Sequence, residues 1–119
     1  MSRFELFASL FVVLRGPQGE PLLRTAELDG ELACRSTVLA IRLNAPIAAR
    51  YRRRDAAHGG RYFVLHDASG RALGFSPLFD SIDGCEAAID ATVRCAGEAM
   101  LIRVVPTPAE FDALPPRVA

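Results

Sequence analysis

Phe11-Val-Val-Leu14, followed by Gly19, Leu22, Thr25, Leu28, Asp29, Cys34 and Val38, decides the fold, because the pattern returns 51 positions later. The second occurrence is Tyr62-Phe-Val-Leu65, Gly70, Leu73, Ser76, Phe79, Asp80, Cys85 and Ile89. Residue identity is low, but turns, caps and apolar positions recur in the same order. Self-similarity at a fixed period indicates two copies of one supersecondary unit packed on each other. It carries no information about chemistry.

Working outward, Phe4-Glu-Leu-Phe7 alternates in polarity as a short strand does, and Leu10–Arg15 is more continuously apolar, like a central one. Gly16-Pro-Gln-Gly19 is a turn, and Leu22–Glu27 returns as a third strand. Asp29 is placed to cap a helix whose buried stripe is Cys34, Val38 and Ile41, ended by Asn44-Ala-Pro46. Ile47–Arg54 reads as the strand opening the second copy. After it come a turn at Ala57–Gly60, a strand over Arg61–His66, a turn at Asp67–Gly70 and a strand over Arg71–Ser76. Asp80 or Ser81 caps the second helix, Cys85, Ile89 and Val93 share its inner face, Gly97 follows its end, and Ala99–Val105 is the last strand.

The spacing predicts an α+β protein: two tandem β-β-β-α-β repeats forming one antiparallel sheet with two helices on one face. As domains, residues 1–119 form one unit, with repeat one over 3–50, repeat two over 51–105 and a C-terminal tail over 106–119. In that tail Thr107-Pro-Ala-Glu110 reads as an N-cap followed by one helical turn. The first hairpin is the tighter one, since Phe4 and Phe11 are seven positions apart and Tyr51 and Tyr62 eleven.

Composition narrows the function classes. The 119 residues are 50% hydrophobic, enough for a core without disulfides or metal. Fourteen basic residues, all arginine, balance fourteen acidic ones, so no overall field favours nucleic acid or an anionic membrane. Three cysteines without a CxxC spacing fit reduced thiols, and the expected location is cytoplasmic. Leu6–Leu14 lacks the basic flank and cleavage site of a secretory leader, and no apolar run is long enough to span a membrane.

The pattern resembles the YegP-like family, small bacterial proteins built from one or two copies of a domain of unknown function. The first copy supplies Phe11-Val-Val-Leu14, Gly19, Leu22, Thr25, Leu28 and Val38-Leu-Ala-Ile-Arg-Leu-Asn44; the second supplies Phe63-Val-Leu65, Gly70, Leu73, Ser76, Phe79 and Ile89–Arg94. The resemblance runs from about Phe4 to Val105 and departs from the family pattern at the tight first hairpin, Leu39-Ala40 and Cys95-Ala96. It implies the doubled unit and no activity.

The densest charge is Arg50, Arg52, Arg53 and Arg54, with Arg61 across a turn. On a strand, Arg50, Arg52 and Arg54 share one face and Tyr51 and Arg53 the other. With Tyr51 and Tyr62 beside them, such a row can follow a phosphate backbone and stack bases. The zero net charge favours the other reading, a solvated edge strand whose charges block aggregation. Arg50, Tyr51, Arg52, Arg53, Arg54 and Arg61 are therefore the candidate contacts for a partner or nucleic acid.

Catalytic, cofactor and metal sites are not expected. Ser69 beside His66 and Asp67 offers hydrolase residue types, but three neighbours across a tight turn cannot converge on one atom. His58, His66 and the scattered cysteines lack zinc-ligand spacing. Asp80 and Asp83 suit a helix start, and Asp90 a solvated surface. Cys34 and Cys85 fit core packing, leaving Cys95 as the most accessible thiol. The expected function is a non-enzymatic interaction module, as a monomer or as a homodimer through a sheet edge. Weak single-stranded nucleic-acid binding is the alternative, and an enzyme of unknown class the third.

Overall fold

The computed structural model describes residues 2–7 and 10–103, with backbone alone at 102 and 103. The helical turn expected at Thr107 lies outside the described residues. The elements are β1 (Arg3–Leu6), β2 (Val12–Arg15), β3 (Pro21–Arg24), α1 (Glu31–Asn44), β4 (Tyr51–Asp55), β5 (Arg61–His66), β6 (Ala72–Phe75), α2 (Ile82–Cys95) and β7 (Met100–Arg103). Seven strands form one sheet in the order β4-β5-β6-β3-β2-β1-β7. Two three-stranded meanders thus meet at the β3–β6 pair, where Arg24 lies opposite Phe75.

The sheet is mixed, which corrects the wholly antiparallel one expected. β7 runs parallel to β1, with Arg3 opposite Met100. The other neighbours are antiparallel. A tight hairpin delivers only an antiparallel neighbour, whereas a crossover containing a helix can deliver a parallel one. Chain order alone did not distinguish these outcomes for β7.

Local details recur at the spacing of the sequence pattern. Gly19 and Gly70 take φ of 82° and 89°, the left-handed conformation that glycine adopts without a Cβ clash. Register shifts occur between Leu14 and Arg15 and again between Leu65 and His66. The Thr25 hydroxyl accepts the Val12 amide at 3.0 Å, and the Ser76 hydroxyl accepts the Phe63 amide at 2.9 Å. Where the hairpins differ, so does the strain. The longer β4–β5 turn places Gly59 and Gly60 at positive φ, while the tight β1–β2 turn forces Leu10 to φ 59°. A β-carbon there costs about 1–2 kcal/mol.

The helix starts differ from one another. Ser81 caps α2, its hydroxyl accepting the Gly84 amide at 3.0 Å. At α1 the N-cap is Gly30 rather than Asp29, and no side chain bonds to it. Gly30 has φ 142°, so the chain enters α1 by a backbone bend that its missing side chain permits.

Both helices pack into one apolar cluster. Cys34, Val38 and Ile41 of α1 and Cys85, Ala88 and Ile89 of α2 join Phe4, Leu14, Leu23, Phe63 and Leu65 of the sheet. α1 lies over β5 and β6, whereas α2 lies over β3 and β5. Each helix therefore covers strands from the other half of the chain. Truncating a buried residue such as Ile41 to alanine costs about 2–5 kcal/mol.

The opposite face is not bare. Pairing aligns Arg52, Val64, Phe75, Arg24, Val13 and Glu5 across six strands. Val13, Val64 and Phe75 in this row are buried. Phe7 and Phe11 stack with ring centroids 5.0 Å apart, and the Arg24 guanidinium lies 4.1 Å above the Phe11 ring. Glu5, also buried, accepts from Arg15 at 2.6 Å and from Arg3 at 2.8 Å.

Candidate functional site

The arginine-rich segment occupies an edge of the sheet but is not one row. Proline disfavours helix at the residue before it, and α1 gives way near Asn44-Ala-Pro46. A single 3-10 turn, Ala48–Arg50, follows before the strand begins at Tyr51. Arg50 therefore stands outside the strand, which corrects its placement with Arg52 and Arg54. Its Nε donates to Asn44 Oδ1 at 3.1 Å.

From Tyr51 the alternation of a strand distributes the rest. Tyr51 points into the core, where its hydroxyl donates to the Ala45 carbonyl at 2.7 Å and its ring meets Phe63 edge-on at 5.5 Å. Burial pushes the phenol well above its ordinary range. Tyr51 is thus a packing residue and cannot stack a base.

Arg53 lies opposite Phe63, towards the helices. It donates twice to Glu86 of α2, at 2.7 and 2.8 Å. This contact holds the Glu86 carboxyl below its usual value and the Arg53 guanidinium above its own. Arg61 faces the same way: its Nη1 approaches Asp55 at 3.4 Å, while its Nε is buried with no hydrogen-bond partner.

Arg52 and Arg54 project to the other face, opposite Val64 and Tyr62 respectively. Both are exposed, and among the described residues neither side chain makes a hydrogen bond or ion pair. Beside them is His66, which the linear pattern did not connect with the arginines. Its ring is buried and its Nδ1 has no partner. Burial lowers its pKa and Arg52 and Arg54 lower it further, opposed by backbone contacts at Val64 and Arg50. The signal was legible in principle, since an antiparallel pair across the Gly59-Gly60 turn places His66 near Arg50 and Arg52. Of the six candidate residues, the strand leaves Arg52 and Arg54 as free cations at the edge.

The hydrolase-like trio resolves into a turn. Asp67 Oδ1 accepts from the Ser69 hydroxyl at 2.7 Å, the Ser69 amide at 2.9 Å and the Arg71 amide at 3.0 Å. The Ser69 and Arg71 bonds lower the pKa of the Asp67 carboxyl. A cleft of about 560 Å³ lies between the β2–β3 turn and the end of α2, lined by Gln18, Glu20, Arg94, Cys95 and Glu98 among others. A second, of about 390 Å³, adjoins it through Glu20 and Ala91. Neither histidine lines either cleft. Arg94 is engaged with Asp90 at 3.2 Å, and Glu20 Oε1 accepts the Gln18 amide at 2.9 Å. Among the described residues, no three His, Cys, Asp or Glu side chains are grouped to hold a metal, and no helix is long and apolar enough to cross a membrane.

No protein-family profile matches the chain. The UPF0339 protein YegP of Escherichia coli is 25% identical over 91 residues, spanning 76% of this chain and 82% of that protein. The YegP of Shigella flexneri is similar over the same extents. Among solved structures, Escherichia coli YegP, described as a protein of unknown function, superposes with a TM-score of 0.79 at 23% identity, covering 86% of this chain and 91% of that one. A UPF0339 protein of Shewanella oneidensis does so with the same score and identity, covering 86% and 90%. At that identity the structural likeness speaks for the fold alone. Taken with the curated relatives, it shows that this chain is similar to the YegP proteins in sequence and shares their α+β fold.

Proposed function

We propose that the chain is a non-enzymatic interaction module whose partner surface is the free edge of β4. The observation that carries this reading is that, among the described residues, β4 pairs with β5 on one side only and Arg52 and Arg54 stand exposed without ionic partners. An unpaired edge can accept an added strand through main-chain hydrogen bonds, with side chains supplying selectivity. Two unneutralised guanidinium groups favour a partner rich in carboxylates. They also disfavour β4 pairing with itself, because an antiparallel pair centred on Arg53 sets arginine opposite arginine.

The observation that Arg52, Arg54 and Tyr62 share a face favours a second reading, weak binding of single-stranded nucleic acid. The burial of Tyr51 and the engagement of Arg53 by Glu86 support it less than the first. Amide shifts of the labelled protein, titrated at low salt with an acidic extended peptide and separately with a single-stranded oligonucleotide, decide between them. Shifts along β4 with the peptide alone support the module. A response to the oligonucleotide alone replaces it with the second reading, and a response elsewhere removes β4 from both.

A further inference from the structure

The two adjoining clefts open where α2 crosses β3, a strand of the other half of the chain. Their linings divide by chemistry. The smaller, of about 390 Å³, is walled by Pro21, Leu22, Pro77, Phe79 and Ala88, and Glu20 is its charged residue. The larger, of about 560 Å³, carries Gln18, Glu20, Arg94 and Glu98. Glu20 and Ala91 line both, so the Glu20 side chain stands at the junction. An apolar wall with a few polar groups, at volumes in this range, has the make-up of a small-molecule site.

The other copy provides an internal comparison. Glu20, Leu22, Phe79, Ala87, Ala88 and Ala91 of the smaller cleft stand 51 positions from Arg71, Leu73, Leu28, Ser36, Thr37 and Ala40. Those six line a pocket of only about 200 Å³ beside α1. Its polar groups are partly spent, since the Thr37 hydroxyl donates to the Ala33 carbonyl at 2.9 Å and Asp67 is bound into its turn. The same junction of helix and strand is thus narrow and polar in one copy, wide and apolar in the other. The fold does not itself require the wider form.

The charge of the wider site selects its ligand. Among the described residues neither Glu20 nor Glu98 forms an ion pair, whereas Arg94 is answered by Asp90 at 3.2 Å. The larger cleft also meets the last turn of α2 through Arg94 and Cys95, at the negative end of the helix dipole. Glu20 is held in place: its Oε1 accepts the Gln18 amide at 2.9 Å, and its carboxylate packs over Gly16, where a β-carbon would lie 2.5 Å from Cδ. We infer that the joined clefts bind a small organic cation, its ammonium group paired with Glu20 and its aryl or alkyl body lying along Leu22, Phe79 and Ala88. This site shares no residue with the β4 edge, and the inference does not rest on that edge being a partner surface.

Amide shifts of the labelled protein, titrated at low salt with phenethylammonium and separately with hydrocinnamate, test it. The two probes carry opposite charges on the same phenylethyl body. Phenethylammonium should give saturable shifts at Gln18–Leu22, Phe79 and Ala87–Cys95, and hydrocinnamate should bind about tenfold more weakly. Glu20→Gln keeps an oxygen for the Gln18 amide and removes the charge, so it should weaken phenethylammonium about fivefold at an unchanged unfolding midpoint. No saturable shift, shifts confined to other residues, equal binding of hydrocinnamate or wild-type binding by Glu20→Gln each overturns the inference. Should Glu20→Gln unfold more readily, Ala91→Leu, which fills the junction, supplies the comparison: loss of phenethylammonium binding supports the site, and unchanged binding overturns it.

Discussion

Arg53 of β4 grips Glu86 of α2 through two hydrogen bonds, fastening the sheet edge to a helix while its neighbours Arg52 and Arg54 face the other way. Both partners are more than a third exposed, at 37% and 43% of their side chains, so solvent screens the pair. Arg53→Ala should therefore destabilise by under about 1 kcal/mol. Arg52→Ala should leave stability within about 0.5 kcal/mol of wild type. Urea unfolding in low and high salt checks both, and only the Arg53 effect should shrink with salt.

A larger effect is expected at the matched hydroxyls. Thr25→Val and Ser76→Ala each remove the acceptor of a buried amide, at Val12 and Phe63 respectively. Leaving such a donor unpaired costs about 1–3 kcal/mol. Both variants should lower the urea midpoint with an unchanged slope. A loss below about 0.5 kcal/mol at both sites would contradict the role given to these hydroxyls.

Stability should fall with acid in two steps. His66 titrates below its ordinary value of 6.5 because burial, Arg52 and Arg54 disfavour the cation. The unfolded chain takes up that proton first, so the contribution is complete above about pH 6.5 and is lost as pH falls through the folded-state pKa. Burial raises the pKa of Glu5, but bonds to Arg15 and Arg3 outweigh it and leave the carboxyl below 4.5. Its contribution is present above about pH 4.5 and disappears at lower pH. His66→Asn should flatten the first step and Glu5→Gln the second. In Arg52→Ala the His66 ring, followed by its proton resonances, should titrate at higher pH than in wild type.

Thiol reactivity should separate the cysteines. Cys34 and Cys85 are buried, and burial raises both thiols above their ordinary value. Cys95 is half-buried at the end of α2. An aromatic disulfide reagent should react with Cys95 first and with the other two only in denaturant. Rapid native reaction at Cys34 contradicts the core packing.

Much of this fold was legible because its signals are local. Gly19 and Gly70 marked turns that need positive φ, Asp80 or Ser81 marked a cap that Ser81 makes, and Cys34, Val38 and Ile41 marked an inner helix face. What was missed depends on packing between distant segments. The direction of β7 follows from a crossover, and the engagement of Arg53 follows from where α2 settles over the sheet. Arg50 was assigned to the strand because its alternation continues through that residue, while the 3-10 turn that removes it has only a weak local signal. Two helices on one face leave the state of the other face unspecified, and there Val13 and Val64 are buried.

The central claim is that β4 presents a partner surface through its free edge and Arg52 and Arg54. Affinity capture from the native host tests it most directly, comparing wild type with R52E/R54E, a variant whose fold is first verified by its unfolding midpoint. The account predicts a protein partner retained by wild type, protecting β4 amides from exchange when bound, and released by the charge reversal. A partner held equally by both baits, or substrate turnover that survives R52E/R54E and is lost on changing one cleft residue such as Glu20, would contradict it.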